Sequence, residues 1–100
     1  MNALSQYYYD ELKGVYDYLK DNEIDEDDYY GLEYALPNDD KARKLTKIIP
    51  YWLGYENGKY LIGTSEEEYS FDSFDDLFFN FVLEDGKKFT DENLDIQFVM

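Results

Sequence analysis

Among its 100 residues the chain has no cysteine and no histidine. Without cysteine there is no disulfide framework, no thiolate zinc site and no cysteine nucleophile. Without histidine the commonest general base and metal ligand is missing too. Cations are scarce: nine Lys and Arg stand against 24 Asp and Glu, for a net charge of −15. No apolar run approaches the roughly 20 residues of a membrane span. The opening MNALSQYYYDEL has neither the basic nor the apolar part of a secretory leader. These features lead us to expect a cytoplasmic protein that makes no membrane contact.

What is present is aromatic. Twelve tyrosines and seven phenylalanines raise the aromatic share to 20%, too rich for a disordered acidic tail. One hundred residues suit one domain, residues 1–100. Leu4, Tyr8, Leu12, Val15 and Leu19 recur at helical spacing, predicting a helix over 4–20 with Tyr9 and Tyr16 widening its buried side. Asp10, Asp17 and Asp21 then face away, with Tyr7 and Tyr18 between the two sides. Residues 29–36 fit either period, but Gly31 and the tyrosines favour a strand. A short helix fits 39–48, capped by Asn38 and ended by Pro50.

Asn57-Gly58 signals a type I′ hairpin. A two-residue loop sets Glu56 opposite Lys59, Tyr55 opposite Tyr60, and Leu53 opposite Ile62. Trp52 then meets Gly63, and Leu61 meets Gly54, so large side chains cover glycine gaps. A strand near 68–71 places Tyr69 and Phe71 on one face. Ser73 with Asp76 forms a capping pattern for a second helix carrying Phe74, Leu77, Phe78, Phe81 and Val82, with Gly86 beyond its end. Residues 94–100 alternate Leu94, Ile96, Phe98 and Met100 as a last strand. The expected fold is α+β. Its small antiparallel sheet combines a hairpin at about 51–64 with strands near 68–71 and 94–100, and two or three helices pack on one face.

Charge comes in blocks: −10 over residues 1–40, +4 over 41–60 and −9 over 61–100. The basic segment with Lys41, Arg43, Lys44 and Lys47 is short and flanked by acid, so it reads as internal neutralisation, not as a nucleic-acid site. The densest acidic stretch holds Asp21, Glu23, Asp25, Glu26, Asp27 and Asp28, followed by Tyr29 and Tyr30. As a calcium loop begun at Asp21 it needs Gly at the sixth place and Glu at the twelfth, and finds Glu26 and Leu32. Neighbouring acids such as Asp27-Asp28, Glu66-Glu67-Glu68 and Asp75-Asp76 point apart on regular structure, which suits a catalytic pair poorly. The nucleophile-elbow, P-loop and dinucleotide-binding glycine patterns are all missing. We therefore expect no enzymatic activity, no metal and no cofactor. Tyrosine beside carboxylate is instead good interface material, because rings give contact area while acids pair with Lys or Arg. The candidate partner-binding residues are Asp21, Glu23, Asp25, Glu26, Asp27, Asp28, Tyr29, Tyr30, Glu66, Glu67, Glu68, Asp72, Asp75 and Asp76.

In size, acidity and lack of catalytic residues the chain resembles small phage-encoded DNA-mimic inhibitors of the anti-CRISPR and anti-restriction kind. That resemblance implies an inhibitor acting in an infected bacterial cell, with a host-defence nuclease complex as target. The acids would block the basic groove, on a CRISPR effector or restriction enzyme, that recognises DNA. The same acidic, tyrosine-rich logic fits an immunity protein neutralising a basic nuclease toxin. An acidic structural or interaction domain is the third reading.

Overall fold

A computed structural model describes residues 2–22, 30–36, 47–92 and 94–99. Helix α1 spans Ala3–Asp21, and Asn2 caps it by accepting the Ser5 N–H at 2.8 Å. Its buried row is Ser5, Tyr8, Leu12, Val15, Tyr16 and Leu19. Leu4, expected in that row, is 39% exposed. One residue is 100° of helical rotation, and the first turn aims the small Ser5 inward instead.

Strand β1 covers Gly31–Ala35, β2 Ile48–Glu56, β3 Lys59–Gly63, β4 Glu68–Phe71 and β5 Asp95–Val99. They form one antiparallel sheet in the order β4-β3-β2-β1-β5. Within the ambiguous 29–36 segment, Gly31–Ala35 form the strand β1, between β2 and β5. Every hairpin pair read from Asn57-Gly58 occurs, with positive φ of 52° and 77° at the turn.

Two expectations fail around Pro50. The helix proposed for 39–48 lies mostly outside the described residues, but its end does not exist: Lys47 is irregular and Ile48 opens β2. Pro50 sits inside that strand opposite Glu33. The Leu53 N–H reaches back to the Tyr30 carbonyl, so odd-numbered amides of β2 serve β1. Pro50 is on the other phase, facing the β3 side, where pairing begins only at Trp52 and Gly63. Its missing N–H therefore interrupts no ladder.

Helix α2 is short, Phe74–Asn80, with the Ser73 hydroxyl accepting the Asp76 N–H as the capping pattern requires. It stops earlier than its apolar spacing suggests. Phe81 is the C-cap, Val82 lies outside the helix and is 49% exposed, and Gly86 with φ 88° turns the segment between Leu83 and Lys87. The chain after α2 is irregular yet buries Phe81, Leu83, Phe89 and Leu94. The last strand is one residue shorter at its start than expected, and Met100 lies outside the described residues.

Alternation assigns the two sheet faces. Leu32, Tyr34, Ile49, Tyr51, Leu53, Ile62 and Ile96 are buried on the side where Tyr16 meets Tyr60, ring centroids 5.3 Å apart. α1 packs against β2 and β5, and α2 against β4 and α1. Each fully buried Leu, Ile or Phe contributes roughly 1.5–3 kcal/mol relative to exposure. Buried tyrosine hydroxyls find partners: Tyr8 donates to the Leu94 carbonyl at 2.9 Å and accepts the Ile96 N–H at 3.2 Å, tying α1 to β5. Tyr16 donates to the Leu61 carbonyl, and Tyr34 to Asp85 at 2.8 Å. The opposite face of the sheet carries Glu33, Pro50, Trp52, Leu61, Glu68, Asp95 and Gln97. There Trp52 crosses Gly63, and its indole N–H reaches the Thr64 carbonyl at 2.9 Å.

Candidate functional site

The acidic candidates do not converge on one surface. Glu23, Asp25, Glu26, Asp27, Asp28 and Tyr29 lie outside the described residues. Asp21 is exposed at the end of α1. Tyr30 was expected at the surface, but it is half-buried, with its ring 5.4 Å from that of Tyr18. The pair borders a groove on α1 with Asp10, Glu11, Gly14 and Val15, about 420 Å³ in volume.

The consecutive glutamates separate because β4 begins at Glu68, leaving Glu66 and Glu67 in the preceding loop. Glu68 is on the open sheet face, in a shallow hollow with Glu56, Lys59 and Leu61. Glu66 and Glu67 belong instead to the loop between β3 and β4. Thr64 shapes that loop: its hydroxyl accepts the Glu66 and Glu67 N–H groups at 3.3 and 3.2 Å, and its own N–H bonds the Glu67 carbonyl at 2.8 Å. The loop crosses Gly63 so closely that an added Cβ would stand 2.3 Å from the Glu67 carbonyl oxygen and 2.8 Å from the Trp52 ring. Only glycine fits beneath it.

Glu66 and Glu67 border a hollow of about 450 Å³. Its walls are Ile49, Pro50, Tyr51, Tyr69, Phe81 and Val82, and Glu84 closes the far rim. Phe81 is the hub, with the Tyr51 and Tyr69 rings edge-on at 5.6 and 5.4 Å. Tyr51 accepts the Glu84 N–H at 2.9 Å, and Tyr69 donates to the Glu67 carboxylate. That carboxylate holds the Tyr69 hydroxyl above its ordinary range, while burial does the same for Tyr51. Sequence reading put Tyr69 on the right face of β4 and singled out Glu66 and Glu67. It missed Tyr51, Phe81 and Glu84, which lie 15 or more residues from Glu66 and meet it only through the fold.

No family model matches this chain, and neither a curated protein nor a solved structure gives a significant match.

At the other end of β4 the acids are already engaged. Asp72 pairs with Lys59, and Asp75 accepts the Tyr9 hydroxyl at 2.7 Å. Asp75 thereby raises the Tyr9 hydroxyl, with burial and Asp10 adding to it. Asp75 and Asp76 also occupy the first turn of α2, where carboxylates suit the helix dipole. Among the described residues no three carboxylates are placed to hold a metal ion, and no helix is long and apolar enough to cross a membrane.

Proposed function

We propose that this protein is an inhibitory binding module whose acidic, tyrosine-rich surface occupies a basic nucleic-acid-binding groove on a partner protein. The observation that carries this reading is uncompensated charge. The chain has a net charge of −15, and the ion pairs among its described residues are Lys59–Asp72 and the loose, exposed Lys47–Glu84 at 3.8 Å. Self-repulsion of that size opposes folding, and a basic partner relieves it. Duplex DNA carries about one negative charge per 1.7 Å of axis, so its receptors are lined with Lys and Arg. A sheet-and-helix domain that holds carboxylates on ordered loops presents a field of the same sign without being a substrate. Following the resemblance to anti-CRISPR and anti-restriction inhibitors, the target is a host-defence nuclease complex.

The test is competition. Partners captured at low salt are challenged with labelled DNA in the presence and absence of this protein. Displacement of the DNA, with affinity that falls steeply as ionic strength rises, is the expected result. A captured target that still binds its nucleic acid at full strength would sink the proposal. Charge reversal over Asp25, Glu26, Asp27 and Asp28 tests whether that stretch belongs to the face used.

A further inference from the structure

The hollow between the β3–β4 loop and the chain after α2 has features that a merely solvated acidic surface does not need. Its walls expose apolar groups: Tyr69 is 42% and Val82 49% accessible, although both sit against the core residue Phe81. Exposed apolar surface rimmed by charge marks a site of interaction. At about 450 Å³ the hollow falls in the range of roughly 300–1,000 Å³ typical of ligand pockets. Glu66 and Glu67 put negative charge on its rim, and Glu84, only loosely paired with the exposed Lys47 at 3.8 Å, adds a third carboxylate. Glu66 and Glu67 are carried by a loop whose backbone is fixed by Thr64 and by close passage over Gly63, and the Tyr69 hydroxyl holds the Glu67 carboxylate before any partner arrives.

We propose that this hollow is the anchor pocket for an arginine side chain of a protein partner. A guanidinium is flat and weakly hydrated; it stacks on aromatic faces and offers paired N–H groups to a carboxylate. Tyr69 supplies the aromatic wall, and Glu67 and Glu84 the acceptors on either side. A lysine ammonium keeps its hydration more tightly and gains less from an apolar wall. An anion is repelled by the rim, and a neutral side chain adds no charge to offset the Glu66 and Glu67 carboxylates, whose only partner among the described residues is the uncharged Tyr69 hydroxyl on Glu67. The inference rests on the reading above for the existence of a basic partner, and it names the residue type that docks first.

The experiment uses the intact protein and short peptides, so it does not depend on knowing the target. Gly-Arg-Gly, Gly-Lys-Gly, Gly-Leu-Gly and spermidine are titrated while NMR follows the Tyr69 and Phe81 ring signals and the Glu66 and Glu67 amides. We expect saturable shifts with the arginine peptide, weaker ones with the lysine peptide, and none with the leucine peptide. Glu67→Gln is isosteric, keeps an acceptor for Tyr69, and should weaken the arginine peptide about tenfold, as loss of a hydrogen bond to a charged group does. Glu92→Gln, which removes the same charge from an exposed position elsewhere, should leave it unchanged. Equal binding of arginine peptide and spermidine, or equal weakening by both variants, would reduce the effect to bulk charge and overturn the pocket. Absence of saturable shifts overturns it too. If arginine binds here but the protein displaces no nucleic acid from its target, the pocket stands and the groove-blocking reading falls. If displacement occurs and Glu67→Gln affects neither assay, the reverse holds.

Discussion

The two ends of strand β4 carry acids of the same kind and put them to different uses. Before the strand, Glu66 and Glu67 rim an apolar hollow; Glu67 takes the hydroxyl of the exposed Tyr69, and no cation is paired to either among the described residues. After it, Asp72 is paired with Lys59, Asp75 holds Tyr9, and Asp76 sits in the first turn of a capped helix. The ends are separated by four residues, about 13 Å of strand. Local acidity therefore does not tell an acid left without a cation from one tied into the fold. The difference lies in what the fold sets beside each carboxylate.

Removing the floor of the hollow should have the largest effect. Phe81 is 3% exposed and touches Tyr51, Tyr69, Phe71 and Phe89, so Phe81→Ala should cost about 3–5 kcal/mol by urea unfolding. A loss under about 1 kcal/mol would show the hub to be loosely packed. Next is the loop that carries the carboxylates. Gly63→Ala forces a Cβ against backbone and indole, and should cost about 1–3 kcal/mol, seen as a lowered melting temperature. The indole emission of Trp52 should shift with it.

At the other end the effects should be smaller. Ser73→Ala removes the α2 cap and should cost about 1 kcal/mol by the same unfolding assay. Smallest of all, Glu66→Gln with Glu67→Gln should change stability by no more than about 0.5 kcal/mol, because both are exposed. Those two changes should nonetheless weaken target binding more than Asp72→Asn with Asp76→Asn does, in calorimetry at low salt. Equal losses would erase the distinction between the ends.

Alkali probes the buried tyrosines of the core. Burial raises Tyr16, and burial together with the bond to Asp85 raises Tyr34, so the folded state favours the protonated phenol. Their contribution is fully present below the ordinary tyrosine value near pH ~10 and is lost as pH rises through the raised folded values. Unfolding followed by circular dichroism should accompany tyrosinate absorbance in that window. Ionisation of all tyrosines at the ordinary value with the fold intact would contradict the burial.

Much of the architecture was legible locally. Asn57-Gly58 set the hairpin register because a two-residue turn with positive φ admits one pairing, and Trp52 opposite Gly63 followed from it. Ser73 with Asp76 located the start of α2 because a cap needs only four residues. The errors came where local signals were ambiguous. Pro50 reads as a helix stop, but a strand tolerates it when its missing N–H faces an unpaired side. The apolar run from Phe74 to Val82 reads as one helix, yet the chain turns at Phe81 so that Leu83 and Phe89 can reach the core.

By itself the sequence determined the class of molecule: an α+β domain with an aromatic core, a strong negative field and a defined hairpin. Those properties depend on composition, period and turn chemistry, all short-range. Which acids are available was decided only by tertiary structure. Glu67 and Glu84 are 17 positions apart in the chain and share one hollow, whereas the neighbours Glu67 and Glu68 border different hollows. The reason is physical: a carboxylate's role depends on the nearest apolar wall or cation, and long-range packing places both.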